Sequence, residues 1–109
     1  MDCIFCKIIN KEIFSEIIYE DEDVLALRDI KPKATVHILI LPKKHIASVN
    51  DLNSKDSKII SALLLAAPKI AKKQGLKGYK ISINVGKEGG QLIDHLHLHL
   101  LGGKIEEMP

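Results

Sequence analysis

Near the C-terminal end of the chain histidine alternates with leucine: His95, Leu96, His97, Leu98 and His99, followed by Leu100 and Leu101. No other stretch restricts the fold so narrowly. A period of 2 is that of an extended strand, so the run predicts a strand over 95–101 with three imidazoles on one face and leucines on the other. Imidazoles two residues apart on one face stand roughly 7 Å from each other. A core gains nothing from such a row, and histidine is the side chain whose ordinary pKa lies nearest neutrality. Three of the chain's five histidines are here. We therefore read the row as a functional site rather than as a solvated strand face.

The rest of the pattern surrounds this strand with a small α+β domain. Residues 4–10 predict a short helix ending near Asn10. Ile17 to Glu20 and Val24 to Arg28 read as short strands around an acidic turn, and Val36 to Leu41 as a buried strand closed by Pro42. Asn53 or Ser54 is a plausible N-cap for a long helix reaching about Gln74, with Gly75 as its stop. Ile59, Ile60, Leu63, Leu64, Ala67, Ile70 and Ala71 form its apolar face, and Pro68 should kink or split it. Lys80 to Asn84 alternates as a half-wet strand. A glycine-rich loop, Gly86 to Gln91, then leads to the histidine strand, which Gly102 and Gly103 close. This order predicts a mostly antiparallel sheet with the long helix on one face, and strands 80–84 and 95–101 as neighbours. At 109 residues and 46% hydrophobic, the chain suits a single domain over 1–109.

Composition removes several classes of function. A net charge of +2 is too small for a nucleic-acid binder driven by charge, and Lys43-Lys44 and Lys72-Lys73 are too short to be basic patches. No segment approaches the roughly 20 apolar residues of a membrane span. The first residues lack the basic and apolar regions of a signal peptide, so a cytoplasmic location is expected. In a reducing compartment Cys3-x-x-Cys6 reads as half a metal site or a redox motif; no strand precedes it, which weakens the redox alternative.

Other residues add to the row. Gly86, Gly89 and Gly90 lack Cβ atoms, so their N–H groups can converge on an anion; a plain hairpin turn would also want them. Asn84 and Gln91 flank the loop and carry amide donors. His37 is either a satisfied core histidine or a partner of the histidine strand. His45, with Cys3, Cys6 and one histidine of the row, would complete a Cys2His2 set suited to structural zinc; two buried thiols in an N-terminal helix are the alternative.

Taken together, these segments resemble the histidine triad (HIT) family. His95-Leu-His-Leu-His99-Leu-Leu is similar to its His-φ-His-φ-His-φ-φ motif, and Cys3-Ile-Phe-Cys6-Lys-Ile-Ile to its N-terminal segment. Asp29-Ile30-Lys-Pro32 resembles its nucleoside-contact turn, and His37-Ile-Leu-Ile-Leu-Pro42-Lys-Lys-His45 its His-φφφφ-Pro-Lys-x-His block. Asn84-Val-Gly86-x-x-Gly89-Gly90-Gln91 resembles its phosphate loop. The likeness runs from about residue 3 to residue 103 and looks nearest the Hint-type nucleoside phosphoramidases.

The resemblance implies a curved antiparallel sheet of about five strands, one long and one short helix, and a homodimer whose sheets join across the interface. It implies hydrolysis or transfer at the P–N bond of purine nucleoside phosphoramidates, such as AMP-amines and AMP-lysine, with no catalytic cofactor. AMP- or GMP-type nucleotides would be the ligands. By position His97 would be the nucleophile that forms a nucleotidyl-histidine. His99 would contact the phosphate and help the amine depart, and His37 and His95 would orient the row. Asp29 would bind the ribose hydroxyls; Asn84, Gly90, Gln91 and the N–H of Leu92 would hold the phosphate. Ile4, Phe5, Ile8, Ile13, Leu27 and Ile30 would line the base pocket. Cys3, Cys6, His45 and His95 match the zinc ligands of metal-binding members, which gives His95 two candidate jobs.

Two departures bear on specificity. Leu92 stands where the branch often carries Ser or Thr, and the tail after Gly103 is short and lacks tryptophan. Other readings remain open: a dinucleoside polyphosphate hydrolase of the same family, a catalytic metal held by His-x-His, or a nucleotide-binding regulatory protein with weak chemistry.

Overall fold

A computed structural model describes residues 3–105. Its elements are α1 (Ile4–Ile9), β1 (Ile17–Glu20), β2 (Val24–Arg28), β3 (Ala34–Pro42), α2 (Ser57–Lys73), β4 (Lys80–Ile83) and β5 (Leu98–Ile105), with short 3₁₀ turns at Val49–Asp51, Ser54–Asp56 and Lys87–Gly89. All strand pairs are antiparallel, in the order β1-β2-β3-β5-β4. The α+β class, the five strands and the two helices are those the sequence predicts. The last residues of the short tail, 106–109, lie outside the described part of the chain.

Alternation sorts each central strand into two faces, because successive side chains point to opposite sides. Val24 and Ala26 of β2, Ile38 and Ile40 of β3 and Leu98 and Leu100 of β5 pack with α2, through Leu63, Ala66, Ala67, Ile70 and Ala71. Leu25 and Leu27 of β2 and Leu39 and Leu41 of β3 take the other face, beneath Phe5 and Ile8 of α1. With both faces covered, β2 and β3 read as unbroken apolar runs. The register sets His37 opposite Leu101, and His99 opposite both Leu39 and Ser82, on the α1 side.

Four expectations are corrected. The terminal strand starts at Leu98, so His95, at the end of a bend over 93–95, and His97 precede β5 and only His99 is in the ladder. β5 runs through Gly102 and Gly103 to Ile105 instead of stopping there. Gly102 lies so close under Leu76 that a Cβ would collide with its methyls, and Gly103, at φ +72°, forms an irregularity between the Ala34–Ile105 and Val36–Gly102 pairs. Glycines here permit close approach and a bulge rather than ending the strand. Pro68 does not split α2: it lies on the solvent side, where water can satisfy the carbonyl it leaves unpaired. Leu64 is exposed, and Ala66 belongs to the buried face instead.

The Asn53 cap belongs not to α2 itself but to the 3₁₀ turn Ser54–Asp56 that leads into it; α2 begins at Ser57, and its own N-cap, Asp56, makes no side-chain cap bond. The Asn53 side chain accepts from the N–H of Lys55, while the Asp56 carboxylate accepts from the N–H of Asn53 at 3.1 Å and from Lys44 Nζ at 2.9 Å. This capping box ties the turn after β3 to the start of α2.

Candidate active site

The imidazoles converge from two strands and the lead-in to β5. His37 Nε2 lies 2.9 Å from His99 Nδ1. The His97 and His99 rings meet edge-on with centroids 5.0 Å apart, and Phe5 of α1 packs on His97 and His95 at 5.2 and 5.8 Å. His95 and His97 are buried; His99 is partly so.

Proton positions follow from the partners. His97 Nδ1 is 2.7 Å from the carbonyl oxygen of His95. A carbonyl only accepts, so Nδ1 carries a hydrogen, and in the neutral form of the ring Nε2 keeps its lone pair. His95 Nε2 is 2.8 Å from the carbonyl of Pro42, so it donates there and its Nδ1 is the free acceptor. His99 Nε2 is buried and has no partner in the protein. Burial, reinforced by the neighbouring His97 and His37, pushes His99 down to about 4. Burial also lowers His37, with Asp29 pulling the other way. Near neutrality His37 and His99 are therefore uncharged.

The glycine loop closes on itself. Gly86 and Gly90 have φ of +70° and +87°, conformations open to glycine at little cost. The N–H groups of Gly89 and Gln91 donate to the Gly86 carbonyl, that of Gly90 to Lys87, and that of Gly86 to Gln91 Oε1. Gln91 Nε2 donates to the carbonyls of Ala47 and Ile93, at 2.7 and 2.9 Å. Gln91 thus staples the loop to the segment entering the row, and both its amide hydrogens are engaged. Asn84 Nδ2 reaches the Gly90 carbonyl only at 3.5 Å. The Leu92 N–H has no partner among the described residues, and the Leu92 side chain is 94% exposed.

Asp29 opens the turn before β3. Its Oδ1 accepts from the N–H of Lys31 at 2.8 Å, and its Oδ2 lies 3.4 Å from His37 Nε2.

A second cluster lies at the other end of the row. Ligand atoms of Cys3, Cys6, His45 and His95 all fall within 4.8 Å of one another. His45 Nδ1 and His95 Nδ1 are 3.1 Å apart; Cys3 Sγ is 3.4 Å and Cys6 Sγ 3.7 Å from His95 Nδ1; Cys6 Sγ is 3.3 Å from His45 Nδ1. Tetrahedral zinc with ordinary Zn–N and Zn–S bonds has ligand–ligand edges of about 3.3–3.8 Å. The set therefore fits zinc, and the lone pair of His95 already faces the centre. Asp29, His37 and His99 also group closely. Their donor chemistry suits a metal less: His37 Nδ1 receives the main-chain N–H of Lys33 at 2.9 Å, which leaves the His37 hydrogen on the nitrogen a metal would need.

Comparison with known proteins agrees with this geometry. The family model described as "Scavenger mRNA decapping enzyme C-term binding" matches residues 2–108. An uncharacterized HIT-like protein of Buchnera aphidicola is 50% identical over 103 residues, 93% of this chain and 90% of that one. The purine nucleoside phosphoramidase of Escherichia coli is 43% identical over 105 residues, 94% of this chain and 88% of the enzyme. The chain belongs to the histidine triad family. A HIT family hydrolase from Legionella pneumophila superposes with a TM-score of 0.95 at 47% identity, covering 99% of this chain and 98% of its own. The chain is accordingly a HIT-family hydrolase.

On this HIT scaffold the residues singled out by sequence separate into groups. His37, His97 and His99 form one connected row. His95 stands behind it, turned toward Cys3, Cys6 and His45. Phe5, Ile8 and Leu27 are buried together on the α1 side, whereas Ile4, Ile13, Ile30 and Leu92 are exposed. Sequence reasoning missed two features. Phe14, next to Ile13, is 95% exposed, and an aromatic in a polar loop was a readable signal. The main-chain N–H of Lys33, which holds His37, has no signature in the side chains.

Proposed function

We propose that this HIT hydrolase cleaves the P–N bond of purine nucleoside phosphoramidates through a nucleotidyl-His97 intermediate. The observation that carries the reading is the His97 Nδ1 contact to the His95 carbonyl, which leaves the Nε2 lone pair free. A neutral imidazole is a competent nucleophile at pH 7 and leaves well from phosphorus. In this reading His97 Nε2 attacks the α-phosphorus while the P–N bond breaks. The nitrogen leaves with the bonding pair and takes one proton from solvent. His99, with its unpartnered Nε2, faces the phosphoryl group and the departing nitrogen as a hydrogen-bond donor. Water then attacks the intermediate, the bond to His97 Nε2 breaks with its pair returning to the ring, and one proton from that water goes back to solvent. The identity to an E. coli purine nucleoside phosphoramidase supports the substrate class.

Nucleoside recognition falls to Asp29, for the ribose hydroxyls, and to Phe5, Ile8 and Leu27, flanked by Ile4, Ile13 and Ile30, for the base. Asn84 and the Leu92 N–H hold the phosphate; Gln91 braces their loop, and Gly90, whose own N–H is given to Lys87, supplies its left-handed turn. Cys3, Cys6, His45 and His95 would hold a structural zinc that ties α1 to the segment entering the row. A homodimer would cover the open edge of β4. The exposed Leu92 side chain in place of a hydroxyl favours amines with an apolar portion.

Release of AMP from adenosine 5′-phosphoramidate tests the reading. We expect turnover by the wild type and its loss, by at least ~10³-fold, in His97→Ala. Folding and AMP binding should survive in that variant. Turnover of diadenosine polyphosphates alone would move the enzyme to the other branch.

A further inference from the structure

We propose that the main-chain N–H of Lys33 sets the proton positions of the catalytic row, fixing the third triad histidine, His99, as a neutral donor aimed at the substrate. The proposal rests on the function above and adds a positioning role for the turn that carries Asp29.

Each proton position in the row is forced by its neighbour. An amide N–H can only donate, and that of Lys33 points at His37 Nδ1 over 2.9 Å. Neutral His37 must accept there, so its one hydrogen is on Nε2. His37 Nε2 has two neighbours, His99 Nδ1 at 2.9 Å and Asp29 Oδ2 at 3.4 Å. The shorter contact goes to His99, whose Nδ1 must then accept. The single hydrogen of neutral His99 is left on Nε2, the buried atom that lacks a partner in the protein. An unpaired buried donor is costly, and the cost is relieved when an anion arrives. The same chain disfavours an imidazolium at either ring. A proton on His37 Nδ1 would confront the Lys33 N–H, and one on His99 Nδ1 would confront His37 Nε2–H. His99 therefore greets the substrate as a hydrogen-bond donor already in place. Asp29, reserved for the ribose hydroxyls, lies in the same turn, so nucleoside recognition and proton placement share five residues, 29–33.

The test replaces the Lys33 peptide N–H by an ester oxygen, through incorporation of the α-hydroxy acid, in the full chain. Lys33→Pro is a second way to remove the N–H, and Lys33→Ala keeps it. Imidazole ¹⁵N spectra report which nitrogen of each ring bears hydrogen. Wild type and Lys33→Ala should show His37 and His99 both as Nε2–H. The ester chain should show mixed tautomers at both rings. Its kcat on adenosine 5′-phosphoramidate should fall by ~10-fold or more, with KM within about twofold. A wild-type His99 protonated at Nδ1, or an ester chain with unchanged spectra and unchanged kcat, would overturn the proposal. A misfolded ester chain would leave the wild-type spectrum and Lys33→Pro to decide. Wild-type spectra as described with no phosphoramidate turnover would support this proton arrangement and reject the P–N substrate instead.

Discussion

At the scale of single residues, the site works through what each imidazole is bonded to. His97 owes its free lone pair to a carbonyl, and His99 its free hydrogen to a partner two contacts removed. Neutral buried histidines also make stability depend on pH. The folded value of His99, about 4, lies below its ordinary 6.5. Between those values the unfolded chain binds a proton that folded His99 does not, so its contribution is complete above pH 6.5 and is lost as pH falls toward 4. The loss is ~3 kcal/mol at most. The urea midpoint should thus drop from pH 7.5 to 4.5 by more in the wild type than in His99→Gln; equal drops would contradict the assignment. The histidine row itself was legible, because a period of 2 needs only the residue names. Which nitrogen carries hydrogen was not, since a main-chain N–H decides it.

At the scale of elements, the predicted β1 and β2 have the observed bounds, and α1 differs by one residue. These segments are bounded by polar turns that a sequence displays. The end of β5 was not legible. Gly102 and Gly103 look like punctuation, yet one accommodates Leu76 and the other a bulge. Such a role depends on a neighbour distant in sequence. Helix α1 is another case. Its six residues are too few to be helical alone. It is held by Phe5 and Ile8 beneath and by Cys3 and Cys6 beside His45 and His95. Zinc bound there should raise Tm. At a thousandfold excess over Kd the gain is ~4 kcal/mol, or ~10 °C or more for a domain of this size. Cys6→Ser should lose most of that gain. The same Tm in zinc and in chelator would contradict the metal site.

At the scale of the molecule, β4 pairs only with β5 among the described residues, which leaves an open sheet edge with apolar side chains beside it. Ile81 and Ile83 are partly exposed there, opposite Leu100 and Leu98, and Leu64 and Leu65 of α2 are exposed on the same side of the sheet. An unprotected edge next to apolar side chains invites a second copy of the chain. Sedimentation velocity should give a dimer of the 12.1 kDa chain and a shift to monomer in Leu65→Glu. A monomeric wild type would contradict it. No helix among the described residues is long and apolar enough to cross a membrane.

The central claim is that phosphorus passes through His97 on its way from nitrogen to water. The stereochemical course at phosphorus reads this directly, whether or not the intermediate accumulates. A P-chiral adenosine phosphorothioamidate would be hydrolysed in ¹⁸O-labelled water and its product configuration determined. Two in-line displacements, first by His97 and then by water, predict net retention. Inversion would mean a single displacement by water and would contradict the nucleotidyl-histidine.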